Sequence, residues 1–128
     1  MANTTTVSIV DDDDAVRTAT QTFVRSLGYR TAVFASAEDF LKAPERETAD
    51  CLIADVQMPG MSGLDLQKAL ARHRPSLPII FITAFPEERV RQQALAAGAA
   101  CLLAKPYDGD VLLECIEKAL AGKSHQHA

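Results

Sequence analysis

At 128 residues the chain has the length of one domain, enough to bury roughly two thirds of the surface its unfolded form exposes. Apolar residues make up 48% and charged residues 23%, which excludes a disordered tail and a fibrous protein. Lys and Arg number 13 against 17 Asp and Glu, a net charge of −4, and this argues against direct nucleic-acid binding and against an anionic membrane surface as partner, since both need an excess of cations.

The N-terminus, Met1 to Thr6, has no basic residue and no apolar core of a secretory signal, so the expected location is the cytoplasm. Val7–Val10 reads as a first strand. Asp14 to Leu27 carries Val16, Phe23, Val24 and Leu27 at helical spacing, with Asp14 as its N-cap and Gly28 as its stop. Thr31–Phe34 is a second strand. Ser36 to Asp39 has capping-box spacing and opens a short helix ending near Lys42. Cys51–Ala54 is a third strand, and a turn-rich loop, Met58 to Gly63, follows it. Ser62 caps a helix carrying Leu64, Leu66 and Leu70, which ends before Pro75. Ile79–Thr83 is a fourth strand, nearly all apolar and therefore expected to be buried on both faces. Pro86 suits the first turn of a helix running to Ala97, with Gly98 as its stop. Ala100–Leu103 is a fifth strand. The last helix runs from Asp110 to about Leu120, with Val111, Leu112, Ile116 and Leu120 inward. One domain, 5–121, is expected, followed by a flexible C-terminal tail, 122–128.

The longest apolar runs, such as Ile79–Ile82, fall far short of the roughly 20 residues of a membrane span. Cys51, Cys101 and Cys115 match no disulfide framework and no zinc pattern, and are read as buried thiols. His73, His125 and His127 have no metal spacing with other ligands.

Strict alternation of five strands with five helices implies right-handed crossovers and a parallel sheet covered on both faces. The expected fold is α/β, a doubly wound (βα)5 flavodoxin-like sandwich with a five-stranded parallel sheet in the order 2-1-3-4-5. Its crevice lies outside the carboxyl ends of strands 1 and 3. There the first strand delivers Asp11 and Asp12 and the third delivers Asp55. The fourth ends in Thr83, and the fifth leads to Lys105 and Pro106.

Three carboxylates in one crevice repel one another, by roughly 1 kcal/mol per pair at ~4 Å in water and by more near a protein interior. A hard divalent cation compensates economically, and oxygen ligands with retained waters describe Mg²⁺. Lys105 adds a fixed positive charge and Thr83 a hydroxyl. This set, with no base partnered to a Ser or Cys, points to phosphoryl chemistry with a carboxylate as the nucleophile.

The segments VSIVDDDDAVR (7–17), LIADVQMPGMSGLDL (52–66), PIIFITA (78–84) and GAACLLAKPYDGDVLL (98–113) resemble the response-regulator receiver domains of two-component signalling, FixJ-type receivers most of all. The resemblance implies that Asp55 is the phosphoacceptor, with Thr83 and Lys105 beside the phosphoryl group. It implies Mg²⁺, or Mn²⁺ in its place, held by Asp11, Asp12, Asp55 and the backbone carbonyl of Gln57, and a cis bond at Lys105–Pro106. The implied partners are a sensor histidine kinase or a histidine phosphotransfer protein and an output partner or output domain. A phosphorylation-dependent homodimer is left open. The response would appear in the face formed by the fourth predicted helix, the fifth strand and the fifth predicted helix. Two departures stand out: Leu102 occupies the position where such domains often carry an aromatic switch residue, and Gln57 and Phe85 sit two residues beyond Asp55 and Thr83, at positions that commonly tune the phosphoryl lifetime, where the bulky Phe85 ring would shield an aspartyl phosphate from water.

Three other readings compete. A phosphatase with an aspartate nucleophile needs a second Asp two residues on, where this chain has Gln57. A flavin or nucleotide site would bring phosphate against the repelling run Asp11–Asp14. A receiver-like docking module that has lost its chemistry would not need the full acidic set.

Overall fold

The computed structural model describes residues 4–126. They form β1 (Thr6–Val10), α1 (Asp14–Ser26), β2 (Arg30–Phe34), α2 (Ala37–Lys42), α3 (Glu45–Thr48), β3 (Cys51–Asp55), α4 (Gly63–His73), β4 (Ile79–Thr83), α5 (Glu88–Ala96), β5 (Cys101–Ala104) and α6 (Gly109–Gln126). Every strand pairing is parallel, and the sheet order is β2-β1-β3-β4-β5. This is the expected doubly wound sandwich.

Strands β3 and β4 are buried along their whole length, as their unbroken apolar sequences require in a sheet covered on both faces. Side chains alternate between two cores because successive strand residues face opposite ways. Val10, Leu52, Ala54 and Phe81 pack with Phe40 of α2, Leu66 and Leu70 of α4 and Ala94 of α5. Val7, Ile9, Ile53, Ile80 and Ile82 pack with Val24 of α1 and Leu112 and Ile116 of α6. No helix among the described residues is long and apolar enough to cross a membrane.

Several expectations are corrected. The N-cap of α1 is Asp13, not Asp14: its carboxylate accepts the N–H groups of Ala15 and Val16. The single turn α3 interrupts the expected loop after Lys42. Helix α5 starts at Glu88, two residues beyond Pro86, because Thr83 Oγ1 captures the N–H of Phe85 at 3.1 Å and holds the chain in a turn first. Val111 is exposed, and the inward stripe of α6 is Leu112, Cys115, Ile116 and Ala119. Helix α6 runs past Leu120 to Gln126, into the expected tail 122–128, whose last two residues lie outside the described range. A glycine stops a helix by taking a positive φ, which Gly28 and Gly98 do and Gly122 does not.

The reading of three thiols is also corrected. Cys101 on β5 and Cys115 on α6 form a disulfide, their Cα atoms 6.2 Å apart. Spacing arithmetic tests whole frameworks of cysteines. It is blind to one contact made when α6 folds back over the sheet. Cys51 is buried outside that pair.

Candidate functional site

The sheet order reverses between β1 and β3, and the polar residues converge at that edge. Val10 pairs with Ala54, Asp55 with Ile82 and Thr83 with Ala104, so Asp11, Asp55, Thr83 and Lys105 all emerge at the same height. Their positions follow from strand length: each apolar run ends where the sheet ends, and the next residue meets the crevice.

Asp11 is fully buried. Its Oδ1 accepts the Asp13 N–H at 2.9 Å, and its own N–H donates to the Phe34 carbonyl at 3.1 Å. Its Oδ2 lies 3.1 Å from Lys105 Nζ, close enough for an ion pair but not aligned as a hydrogen bond. Lys105 Nζ donates to Asp55 Oδ2 at 2.8 Å. The other Asp55 oxygen accepts the Gln57 N–H at 3.0 Å. One ammonium thus ties the ends of β1 and β3 from the far side of β4. Thr83 is buried, and its carbonyl accepts the Lys105 N–H at 2.8 Å. The Lys105–Pro106 bond is cis.

Burial pushes the Asp11 carboxyl above its ordinary value, against the Asp13 hydrogen bond and the Lys105 charge that favour its ionised form. Burial pulls the Lys105 ammonium down, but the hydrogen bonds and charges of Asp55 and Asp11 together outweigh it and hold its pKa above the ordinary value.

Carboxylate oxygens of Asp11, Asp12 and Asp55 lie within 4.8 Å of one another, with Asp12 exposed. Three acids face one lysine. The donor set is all oxygen, one buried oxygen lacks an aligned hydrogen bond, and one ligand is open to water. Those features fit a hard divalent cation that keeps several waters.

The family model for the response regulator receiver domain matches residues 7–117. The chain belongs to the response-regulator receiver family. It is 43% identical over 114 residues to the response regulator protein TmoT of Ectopseudomonas mendocina, covering 89% of this chain and 52% of that protein. It is 40% identical over 119 residues to the transcriptional regulatory protein TdiR of Thauera aromatica, covering 93% and 52%. This receiver domain therefore spans about half the length of these curated relatives. The solved FixJ-N structure superimposes with a TM-score of 0.82 at 31% identity, covering 93% of this chain and 95% of that one. The response regulator StyR gives a TM-score of 0.88 at 37% identity, covering 98% and 63%.

The structure brings Asp11, Asp12, Asp55 and Lys105 together, and reaches Thr83 through the Lys105 N–H. Gln57 enters through its N–H, while its side chain is exposed. Phe85 is 63% exposed, so the shield expected from its ring is not formed. Leu102 is half-buried against the core under α4 and α5. Sequence reasoning missed three braces around the receiver site. Arg17 donates to the Asp11 carbonyl at 2.8 Å while pairing with Asp14. The Tyr107 hydroxyl meets Thr20 Oγ1 at 2.9 Å, fastening the segment after Lys105 to α1. Glu38 of α2 accepts the Met61 N–H at 3.2 Å, steadying the loop behind Asp55. Only Arg17 left a signal, its (i, i+3) spacing from Asp14.

Proposed function

We propose that Asp55 accepts a phosphoryl group from the phosphohistidine of a sensor histidine kinase or a histidine phosphotransfer protein, in a reaction dependent on Mg²⁺, for which Mn²⁺ can substitute. The observation that carries this reading is the Lys105 ammonium spanning Asp11 and Asp55 beside a third carboxylate. A carboxylate oxygen of Asp55 attacks phosphorus, the bond to the donor nitrogen breaks, and the histidine leaves. Lys105 then pairs with a phosphoryl oxygen, and the Thr83 hydroxyl donates to another. Asp11, Asp12, Asp55 and the backbone carbonyl of Gln57 would hold the cation. Bound there, Mg²⁺ supplies positive charge to the phosphoryl oxygens during in-line transfer.

An apolar cavity of about 480 Å³ opens beside Lys105, between α1 residues Val16, Ala19 and Thr20 and the segment Pro106–Tyr107. It offers the donor protein a place to rest against the site. We read the domain as a signalling module rather than a turnover enzyme, because Gln57 stands where an aspartate-nucleophile phosphatase needs its general acid. The phosphorylated state would bias the face formed by α5, β5 and α6 toward an output domain or partner. We place the domain in the cytoplasm, where a sensor kinase presents its phosphohistidine.

The test is incubation with acetyl phosphate and Mg²⁺ followed by intact mass. One phosphoryl adduct is expected, absent in Asp55→Asn. Folded protein of unchanged mass would refute the proposal.

A further inference from the structure

We propose that Cys101 and Cys115 are a reversible redox site, a dithiol–disulfide pair that exchanges with low-molecular-weight disulfides and adds an oxidation-state input to this receiver. Their Cα separation of 6.2 Å lies inside the range that a disulfide bridges without backbone movement. The two sulfurs differ in access. Cys101 is half-buried at the start of the edge strand β5, whereas Cys115 lies on the buried face of α6. A cavity of about 250 Å³ opens at Cys101, and Arg91 and Lys118 also line it. Arg91 pairs with the exposed Glu88 at 3.5 Å. Cations beside a thiol favour the thiolate, which is the attacking form, and they suit a reagent bearing carboxylates, as glutathione disulfide does.

The exchange balances in two steps. The Cys101 thiolate attacks one sulfur of the small disulfide, forming a mixed disulfide and releasing one small thiolate. Cys115, giving its proton to solvent, then attacks Cys101 Sγ and expels the second small thiol. Two protein thiols are oxidised to one disulfide, and one small disulfide is reduced to two thiols. Excess small thiol reverses both steps.

The link closes the stretch 101–115, and that stretch carries Lys105, Pro106 and Tyr107. Oxidation therefore fastens β5 to α6 around the cation that bridges Asp11 and Asp55. Such a cross-link restrains the unfolded chain, so the oxidised form should melt several degrees above the reduced form.

The test uses the unmodified chain in buffers of graded glutathione to glutathione-disulfide ratio, quenched by alkylation. Intact mass should fall by two hydrogens relative to the dithiol before alkylation is counted, and a peptide joining Cys101 to Cys115 should appear and vanish reversibly along the series. Cys51→Ser should behave alike. A stable glutathione adduct on Cys101 that never resolves would overturn the proposal, as would alkylation of both Cys101 and Cys115 at every ratio. These readouts need no phosphoryl transfer, so they stand whether or not Asp55 is the acceptor. Cys115→Ser should stop at a glutathione adduct on Cys101, and should it fail to fold, the measurement on the unmodified chain decides.

Discussion

At the residue scale Asp11 carries a conflict: a carboxyl with no exposure, facing one cation shared with Asp55. Burial lifts its pKa above the ordinary 3.8, so between that value and the raised one the folded protein holds more of the proton than the unfolded chain does. Its contribution to stability is full below pH 3.8 and is lost as pH rises through the raised folded value. Asp11→Asn removes that loss while Lys105 keeps Asp55. In Mg²⁺-free buffer at neutral pH the variant should be more stable than the parent, because the amide carries no charge for burial to penalise. Urea melts from pH 5 to 8 would show it, and a less stable variant would contradict the account. Gly63 is a steric rather than an electrostatic residue. A Cβ there would overlap the Asp55 carbonyl and approach Val56 Cα to 2.9 Å. Gly63→Ala should cost about 1–3 kcal/mol by overpacking and should slow phosphorylation, because the strain falls on the backbone of Asp55, the proposed acceptor. The acids, Thr83 and Lys105 were legible in the sequence because each follows an apolar run whose end is the end of the sheet. Tyr107, Glu38 and Cys115 were not, since their partners are fixed by helix packing that no local pattern records.

Among the elements, α4 shows how a short motif sets the geometry behind Asp55. Ser62 Oγ accepts the Asp65 N–H at 3.1 Å, and the Asp65 carboxylate accepts the Ser62 N–H at 3.2 Å. The Ser62 N–H, and after it the Ser62 hydroxyl, hold the Asp65 carboxyl below its ordinary value of 3.8. A depressed carboxyl contributes stability that is present above the unfolded value and lost as pH falls through the folded value. Asp65→Asn should therefore flatten the acid limb of the melting temperature below pH 4 and leave the neutral limb parallel to the parent. Ser62→Ala should cost about 1 kcal/mol at neutral pH, read by denaturant melts. Strands were recognisable as elements because their apolar runs are bounded by polar residues. The turn α3 escaped because Glu45–Thr48 has four polar residues and no apolar period. The start of α5 escaped because Pro86 is equally at home before a helix and in its first turn, and a tertiary bond from Thr83 decides between them.

At the scale of the whole molecule, the parallel sheet and the acidic crevice are one construction. Forming the order β2-β1-β3-β4-β5 carries Asp11, Asp12 and Asp55 from segments more than forty residues apart to within 4.8 Å. The unfolded chain has no such cluster, so a cation that prefers it binds the folded state alone. Linkage then makes stability depend on cation concentration. At 100 times the dissociation constant the gain is about 2.7 kcal/mol, which for a chain of this length is a rise in Tm on the order of 10 °C. Asp12 gives the clean control, because it is exposed and its removal takes a ligand without opening the core. Asp12→Ala should melt close to the parent in chelator and should lose the rise on adding Mg²⁺. An equal rise in both proteins would mean that the ion acts elsewhere on the surface. No rise in the parent would mean that Lys105 alone balances the crevice, leaving the phosphoryl group without its counter-charge.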